Sequence, residues 1–243
     1  MQNYKLTLCY DGTRYYGWQR QDNRATVQGK LEAVLSEFDG STVEVHGSGR
    51  TDAGVHAKAQ VASFRLKLDA DCETVLAYLR QYLPEDIGIL SVEKADERFH
   101  ARLSAKTKTY RYTLWTDETP CVFLRKYVYV FRDALDLDAM RQAAALLCGT
   151  HDYAAFCANS HMKKSTVRTV EKIEIEEIQH GLAILLTANG FLHHMVRILV
   201  GTLLEVGRGI RTPESVEALF YESRAAAGFT VPAKGLCLME VTY

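Results

Sequence analysis

Tyr4-Lys5-Leu6-Thr7-Leu8-Cys9-Tyr10 alternates apolar and polar side chains, so that Tyr4, Leu6, Leu8 and Tyr10 share one face. A period of two marks a strand with one face buried. Downstream, Thr26 offers an N-cap oxygen ahead of Val27, Leu31, Val34, Leu35 and Phe38, which recur at helical spacing. Strands are expected at Val43 and Val45, and again at Phe64, Leu66 and Leu68. A second helix takes Val75, Leu76, Leu79, Tyr82 and Leu83 and stops at Pro84, and residues 87–92 return as a strand. The order strand–helix–strand–strand–helix–strand is the split βαβ arrangement of a ferredoxin-like unit.

The rest of the chain repeats that order without repeating the sequence. Strands are expected at 107–115 and 127–131, then a helix over 137–147 with Gly149 just past its end, where glycine suits a left-handed cap. Strands at 170–178 and 182–187 lead to a long helix over 192–206, a shorter one over 213–220 and a closing strand at 236–241. The expected architecture is α+β: two ferredoxin-like halves, residues 1–105 and 106–243, with mainly antiparallel sheets around a central cleft.

Composition narrows the function classes. Hydrophobic residues make up 47% of 243 residues, enough for a core without disulfide staples. The net charge of −1 excludes a globally basic nucleic-acid binder but leaves room for a local basic face. Residues 98–132 hold eight Lys or Arg against only Asp117 and Glu118, with Phe99, Tyr110, Tyr112 and Trp115 among them. Such a strip reads either as a solvated strand face or as a surface that holds phosphates and stacks bases. The six cysteines form no C-x-x-C pair and the opening Met-Gln-Asn-Tyr-Lys is no signal peptide, so reduced thiols in the cytoplasm are expected. Residues 178–196 lack Asp, Glu, Lys and Arg, but Gln179, His180, Asn189, His193 and His194 interrupt the run, and no membrane span is expected.

The densest anomaly is Gly47-Ser48-Gly49-Arg50-Thr51-Asp52-Ala53-Gly54-Val55-His56-Ala57. Its glycines relax the steric limits on the backbone, and Arg50 and Asp52 are displayed between them. The spacing fits neither a dinucleotide fingerprint nor a P-loop. It reads as a structural turn or as the mount of a catalytic carboxylate. Arg197 stands within an otherwise apolar helix, where it either snorkels to solvent or pairs with a buried acid, Asp52 being the acid to name. Cys148, His151, Asp152, Cys157 and His161 cluster in sequence at spacings that fit no common zinc pattern, and no metal is expected. His193 and His194 are adjacent, so on a helix their side chains diverge by about 100° and make a poor shared site.

Gly49-Arg50-Thr51-Asp52-Ala53-Gly54-Val55-His56-Ala57 resembles the signature loop of the TruA family, tRNA pseudouridine synthase I. Further stretches are similar, in order along the chain: Tyr10-Asp11-Gly12-Thr13-Arg14-Tyr15-Tyr16-Gly17-Trp18-Gln19, Thr26-Val27-Gln28-Gly29-Lys30-Leu31-Glu32, Phe99-His100-Ala101-Arg102 and Lys108-Thr109-Tyr110-Arg111-Tyr112. Phe191-Leu192-His193-His194-Met195-Val196-Arg197, Gly201-Thr202-Leu203-Leu204-Glu205-Val206-Gly207 and Gly235-Leu236-Cys237-Leu238 complete the series. The resemblance implies the pseudouridine synthase fold and isomerisation of uridine to pseudouridine at tRNA positions 38, 39 and 40. It implies a homodimer that shares each tRNA, with no metal or organic cofactor. By the same resemblance Asp52 is the catalytic aspartate, Tyr110 the active-site tyrosine, Arg50 the base-displacing arginine and Arg197 the arginine that pairs with the aspartate. A non-catalytic RNA-binding protein on the same scaffold is the alternative, and Asp52 argues against it, since an acid repels phosphate. A hydrolytic glycosidase wants a second carboxylate beside the first, and the sequence offers no obvious one.

Overall fold

Strand β1 (Gln2–Tyr10) buries Tyr4, Leu6 and Leu8 completely, as its alternation requires. In the computed structural model, which describes residues 1–159 and 164–243, β1 runs antiparallel to β3 (His56–Leu66) on one side and β4 (Ile87–Lys94) on the other. Strand β2 (Val45–Gly47) pairs antiparallel with the far edge of β3. The spatial order β4-β1-β3-β2 is what a split βαβ chain produces. Helix α1 (Val27–Asp39) begins where the Thr26 hydroxyl accepts the Gly29 N–H at 3.3 Å, and it ends at Gly40, φ +66. The orphan N–H groups of its first turn, on Val27 and Gln28, donate to the carbonyls of Gly17 and Trp18. Helix α2 (Cys72–Tyr82) is capped by Asp71, whose carboxylate accepts the Thr74 N–H at 2.7 Å. Val27, Leu31 and Leu35 of α1 and Val75 and Leu79 of α2 are fully buried, each worth roughly 1.5–3 kcal/mol of transfer free energy.

Strand β3 starts well before the expected position 64. Residues 56–61 carry no clean alternation, yet pairing on both edges makes them strand: Tyr10 faces Ala57 from β1, and the last strand, β10 (Leu236–Val241), runs parallel with Cys237 opposite His56. The contacts accordingly group Met1–Lys106 with Cys237–Tyr243 as one compact unit and Thr107–Leu236 as another. The strand at 236–241 is legible locally, whereas its partner is set by tertiary pairing. That is why the sequence division at residue 105 left residues 237–243 with the second half.

In the second unit β5 (Lys108–Trp115), β9 (Gly181–Ala188), β8 (Val167–Ile178) and β7 (Gly149–Asp152) pair antiparallel in that order. The short β6 (Tyr129–Val130) lies parallel to β5. Helix α3 (Leu137–Leu146) packs on β8 and on α4 (Met195–Gly207), whose Ile198, Leu199, Val200, Leu203 and Leu204 are fully buried. A helix apolar on nearly every side belongs in a core. The last helix, α5 (Ser215–Ala218), is shorter than the expected span of 213–220 and continues as a 3₁₀ turn.

Two local readings are corrected. Gly149 does not cap α3; with φ +117 it opens β7, an element too short to show a period. His193 and His194 precede α4 and do not diverge on it: His194 takes φ +61, and the two rings lie 3.9 Å apart. Among the described residues no helix is long and apolar enough to cross a membrane.

Candidate active site

Residues 48–55 connect β2 to β3 and carry Arg50 and Asp52. The backbone on the approach to Asp52 is fixed by the segment that follows β1. The Thr51 carbonyl accepts the Trp18 N–H at 3.0 Å, and the Thr51 hydroxyl shares a 2.8 Å hydrogen bond with the Tyr10 hydroxyl. Beyond Asp52 the chain closes a turn over 52–55: the Val55 N–H donates to the Asp52 carbonyl at 3.1 Å, with Gly54 at φ +77. Positive φ at the third turn position is the type II requirement that glycine meets without strain. The Gly54 N–H reaches the Tyr15 carbonyl at 3.3 Å.

Not every glycine here serves its own backbone freedom. Gly47 makes room for a neighbour, since a Cβ on it would overlap the indole of Trp18, a side chain only 2% exposed. Gly17, at φ +90, also faces the loop closely, and a Cβ there would sit 2.6 Å from the Thr51 carbonyl oxygen. At the loop exit the Gly12 N–H donates to His56 Nδ1 at 3.0 Å.

Beneath the loop lies a polar group that the sequence reading missed. Gln60 is fully buried. Its Oε1 accepts the Ser48 hydroxyl at 2.6 Å and the Val61 N–H at 3.2 Å, while its Nε2 donates to the Gly49 carbonyl at 3.1 Å and reaches the Tyr10 oxygen at 3.5 Å. Burial pushes the Tyr10 phenol far above its ordinary value, so it stays protonated. The one signal in the sequence was an amide inside the otherwise apolar run Ala59-Gln60-Val61-Ala62.

Of the residues expected to act, Asp52 is half-buried on this loop, and Arg50 is exposed with its Nε donating to Gln19 Oε1 at 3.0 Å. The second unit carries the other two. Tyr110 lies on β5 opposite Leu186, is 6% exposed, and meets the Phe191 ring edge-on at 5.3 Å. Arg197, in the first turns of α4, is half-buried, and its Nε donates to the Val231 carbonyl at 2.7 Å. A tether to backbone, rather than simple snorkelling, therefore fixes one donor of this guanidinium. The residues considered for zinc engage the backbone around them: His151 Nε2 lies 3.0 Å from the Cys148 carbonyl, and Asp152 accepts the Ala154 N–H at 3.0 Å. His161 lies outside the described residues.

A family described as tRNA pseudouridine synthase matches residues 8–103 and 143–243. Tyr110 lies between the two matched stretches, but full-length relatives cover it. The chain is 44% identical over 245 residues to tRNA pseudouridine synthase A of Bacillus sp. (strain KSM-64), spanning all of both chains. It is 43% identical over 244 residues to tRNA pseudouridine synthase A 2 of Clostridium perfringens (strain 13 / Type A), again end to end. The tRNA pseudouridine synthase A of Clostridium acetobutylicum is 42% identical with the same coverage. With the clamped Arg50–Asp52 loop inside the matched region and no part of the chain left over, this chain belongs to the tRNA pseudouridine synthase family.

Proposed function

We propose that this chain isomerises uridine to pseudouridine in tRNA, at positions 38, 39 and 40 of the anticodon arm, with Asp52 as the catalytic carboxylate. The observation that carries this reading is the Asp52 loop, clamped on both sides within a chain that matches tRNA pseudouridine synthase A along its whole length.

The chemistry suits the residues. The bond between C1′ and N1 breaks, the uracil turns, C1′ joins C5, and the proton on C5 leaves while N1 gains one. No electrons are exchanged with a partner, so the reaction asks for no redox cofactor. A carboxylate meets the electron demand at the sugar by attack or by facing a cationic centre. Arg197 serves as the cation that keeps Asp52 ionised once the pocket is dry, because a guanidinium contact favours the charged form. Tyr110 stacks on the uracil, and its phenol takes the C5 proton. A base paired in a stem must first leave its stack, at a cost of a few kcal/mol, and Arg50 fills the space it vacates. The enzyme acts as a homodimer in the cytoplasm, two copies sharing each tRNA, without a metal.

The test is Asp52→Asn, which removes the nucleophile and keeps the size. Tritium release from C5-labelled uridine in tRNA should fall by at least about 10²-fold, while tRNA affinity stays level or improves as phosphate repulsion is relieved. Turnover within tenfold of wild type rejects the assignment.

A further inference from the structure

We propose that Gln60, together with the Tyr10–Thr51 hydroxyl pair, positions Asp52 for the chemical step. The proposal rests on the reading of Asp52 as the catalytic carboxylate. A buried amide is costly unless its hydrogen-bonding groups are met, and an apolar side chain of similar shape often serves a core equally well. Gln60 is fully buried, yet it spends its bonds on the loop: Oε1 on the Ser48 hydroxyl and Nε2 on the Gly49 carbonyl. Its Nε2 also faces the Tyr10 oxygen, and Tyr10 in turn holds the Thr51 hydroxyl at 2.8 Å. One connected network therefore grips residues 48, 49 and 51, the limb that leads into Asp52. The limb beyond Asp52 has separate anchors, the turn at 52–55 and the Tyr15 carbonyl. A shift in the first limb passes to the carboxylate through a single peptide, and a misplacement of about 1 Å can cost on the order of 10²-fold in rate.

Strand β3, which supplies Gln60, is paired on both edges, with β1 on one side and β2 and β10 on the other, so the grip is referred to the interior of the sheet. Fully satisfied polar networks in a core rigidify and specify one arrangement. Loss of any one member leaves the others holding a looser loop, so their effects should overlap rather than add.

The test compares Thr51→Val, Thr51→Ser, Tyr10→Phe and Gln60→Met, measuring single-turnover kcat, tRNA Kd and the unfolding midpoint, with Asp52→Asn run alongside. Thr51→Val and Tyr10→Phe should each lower kcat by at least about tenfold with Kd within about twofold, and the double variant should be no slower than either alone. Thr51→Ser, which keeps the hydroxyl, should restore kcat to within about threefold of wild type. Gln60→Met should behave like Thr51→Val, and the Thr51 pair decides the matter if Gln60→Met does not fold. Wild-type kcat in folded Thr51→Val, or equal losses in kcat and affinity, overturns the positioning role. An inactive Asp52→Asn beside a fully active Thr51→Val overturns positioning alone, whereas an active Asp52→Asn overturns the reading beneath it.

Discussion

Replacing Gly17 with alanine tests whether the segment after β1 sets the loop that carries Asp52. Gly17 has φ +90, and its Cβ would stand 2.6 Å from the Thr51 carbonyl oxygen, where ordinary van der Waals contact begins at 3.4 Å. The carbonyl must therefore retreat by most of an ångström, and it is the carbonyl that accepts the Trp18 N–H at 3.0 Å. The positive φ costs alanine roughly 1–2 kcal/mol, overpacking adds about 1–3, and a weakened buried hydrogen bond adds about 1. Gly40→Ala is the control: φ is +66, but nothing lies within 4 Å of the new methyl, so only the backbone penalty applies. The two variants should differ by about 2–4 kcal/mol, or roughly 4–16 °C in melting temperature. Gly17→Ala should also slow tritium release by about tenfold or more, because Thr51 precedes Asp52, whereas Gly40→Ala should leave the rate unchanged. Urea titration and thermal melts followed by circular dichroism, with the release assay, measure all three quantities. Equal midpoints and equal rates for the two variants would refute the argument.

Tyr110→Phe keeps the ring against Phe191 and loses the hydroxyl; tRNA affinity should stay within about 1 kcal/mol while turnover falls by roughly 10²-fold, and unchanged turnover would leave stacking as its sole role. The tRNA affinity should fall steeply with salt despite the net charge of −1, with a log–log slope of about −0.7 to −0.9 for each phosphate contact, and a flat titration contradicts a cationic RNA surface. Arg50→Ala should reduce kcat/KM more on a fully paired anticodon stem than on one mismatched at the target uridine, because the mismatched base is cheaper to extrude. Equal losses on the two substrates reduce Arg50 to an electrostatic neighbour of Asp52.

Much of this fold can be read from the sequence because its elements are strongly periodic. The alternation from Tyr4 to Tyr10, the Thr26 cap and the apolar run of α4 each report a local preference that tertiary structure then reinforces. What escapes is pairing. β7 is too short to carry a period, the start of β3 is strand only because both edges are occupied, and the partner of β10 lies far away in sequence. The candidate site divides in the same way. Asp52 and Arg50 stand out as an acid and a base set among glycines, Arg197 as a charge within an apolar helix, and Tyr110 comes from motif resemblance. Gln60, Thr51 and Tyr10 become a unit only through contacts that span 41 and 50 residues, which no local pattern reports.

The cation–aromatic strip at 98–132 shows how pairing also redistributes chemistry. Successive residues of a strand face opposite sides, so on β5 Tyr110 and Tyr112 share one face while Arg111 and Trp115 share the other. Tyr112 is fully buried, donates to the Pro232 carbonyl at 2.8 Å and packs against Gly235, leaving no ring face for a base. Trp115 is stacked on His180 at 4.9 Å, and Arg111 is half-buried with a Nε that meets no partner among the described residues. The strand therefore spends most of its aromatic and cationic residues on its own packing. The exposed cations of the strip are Arg98, Arg102 and Lys106 on the first unit and Arg125, Lys126 and Arg132 on the second, none of them on β5 itself. On the proposed function, phosphate attraction therefore falls to the segments flanking the strand, where long flexible side chains can follow a backbone, and the chemistry falls to the hydroxyl of Tyr110, whose ring packs edge-on against Phe191.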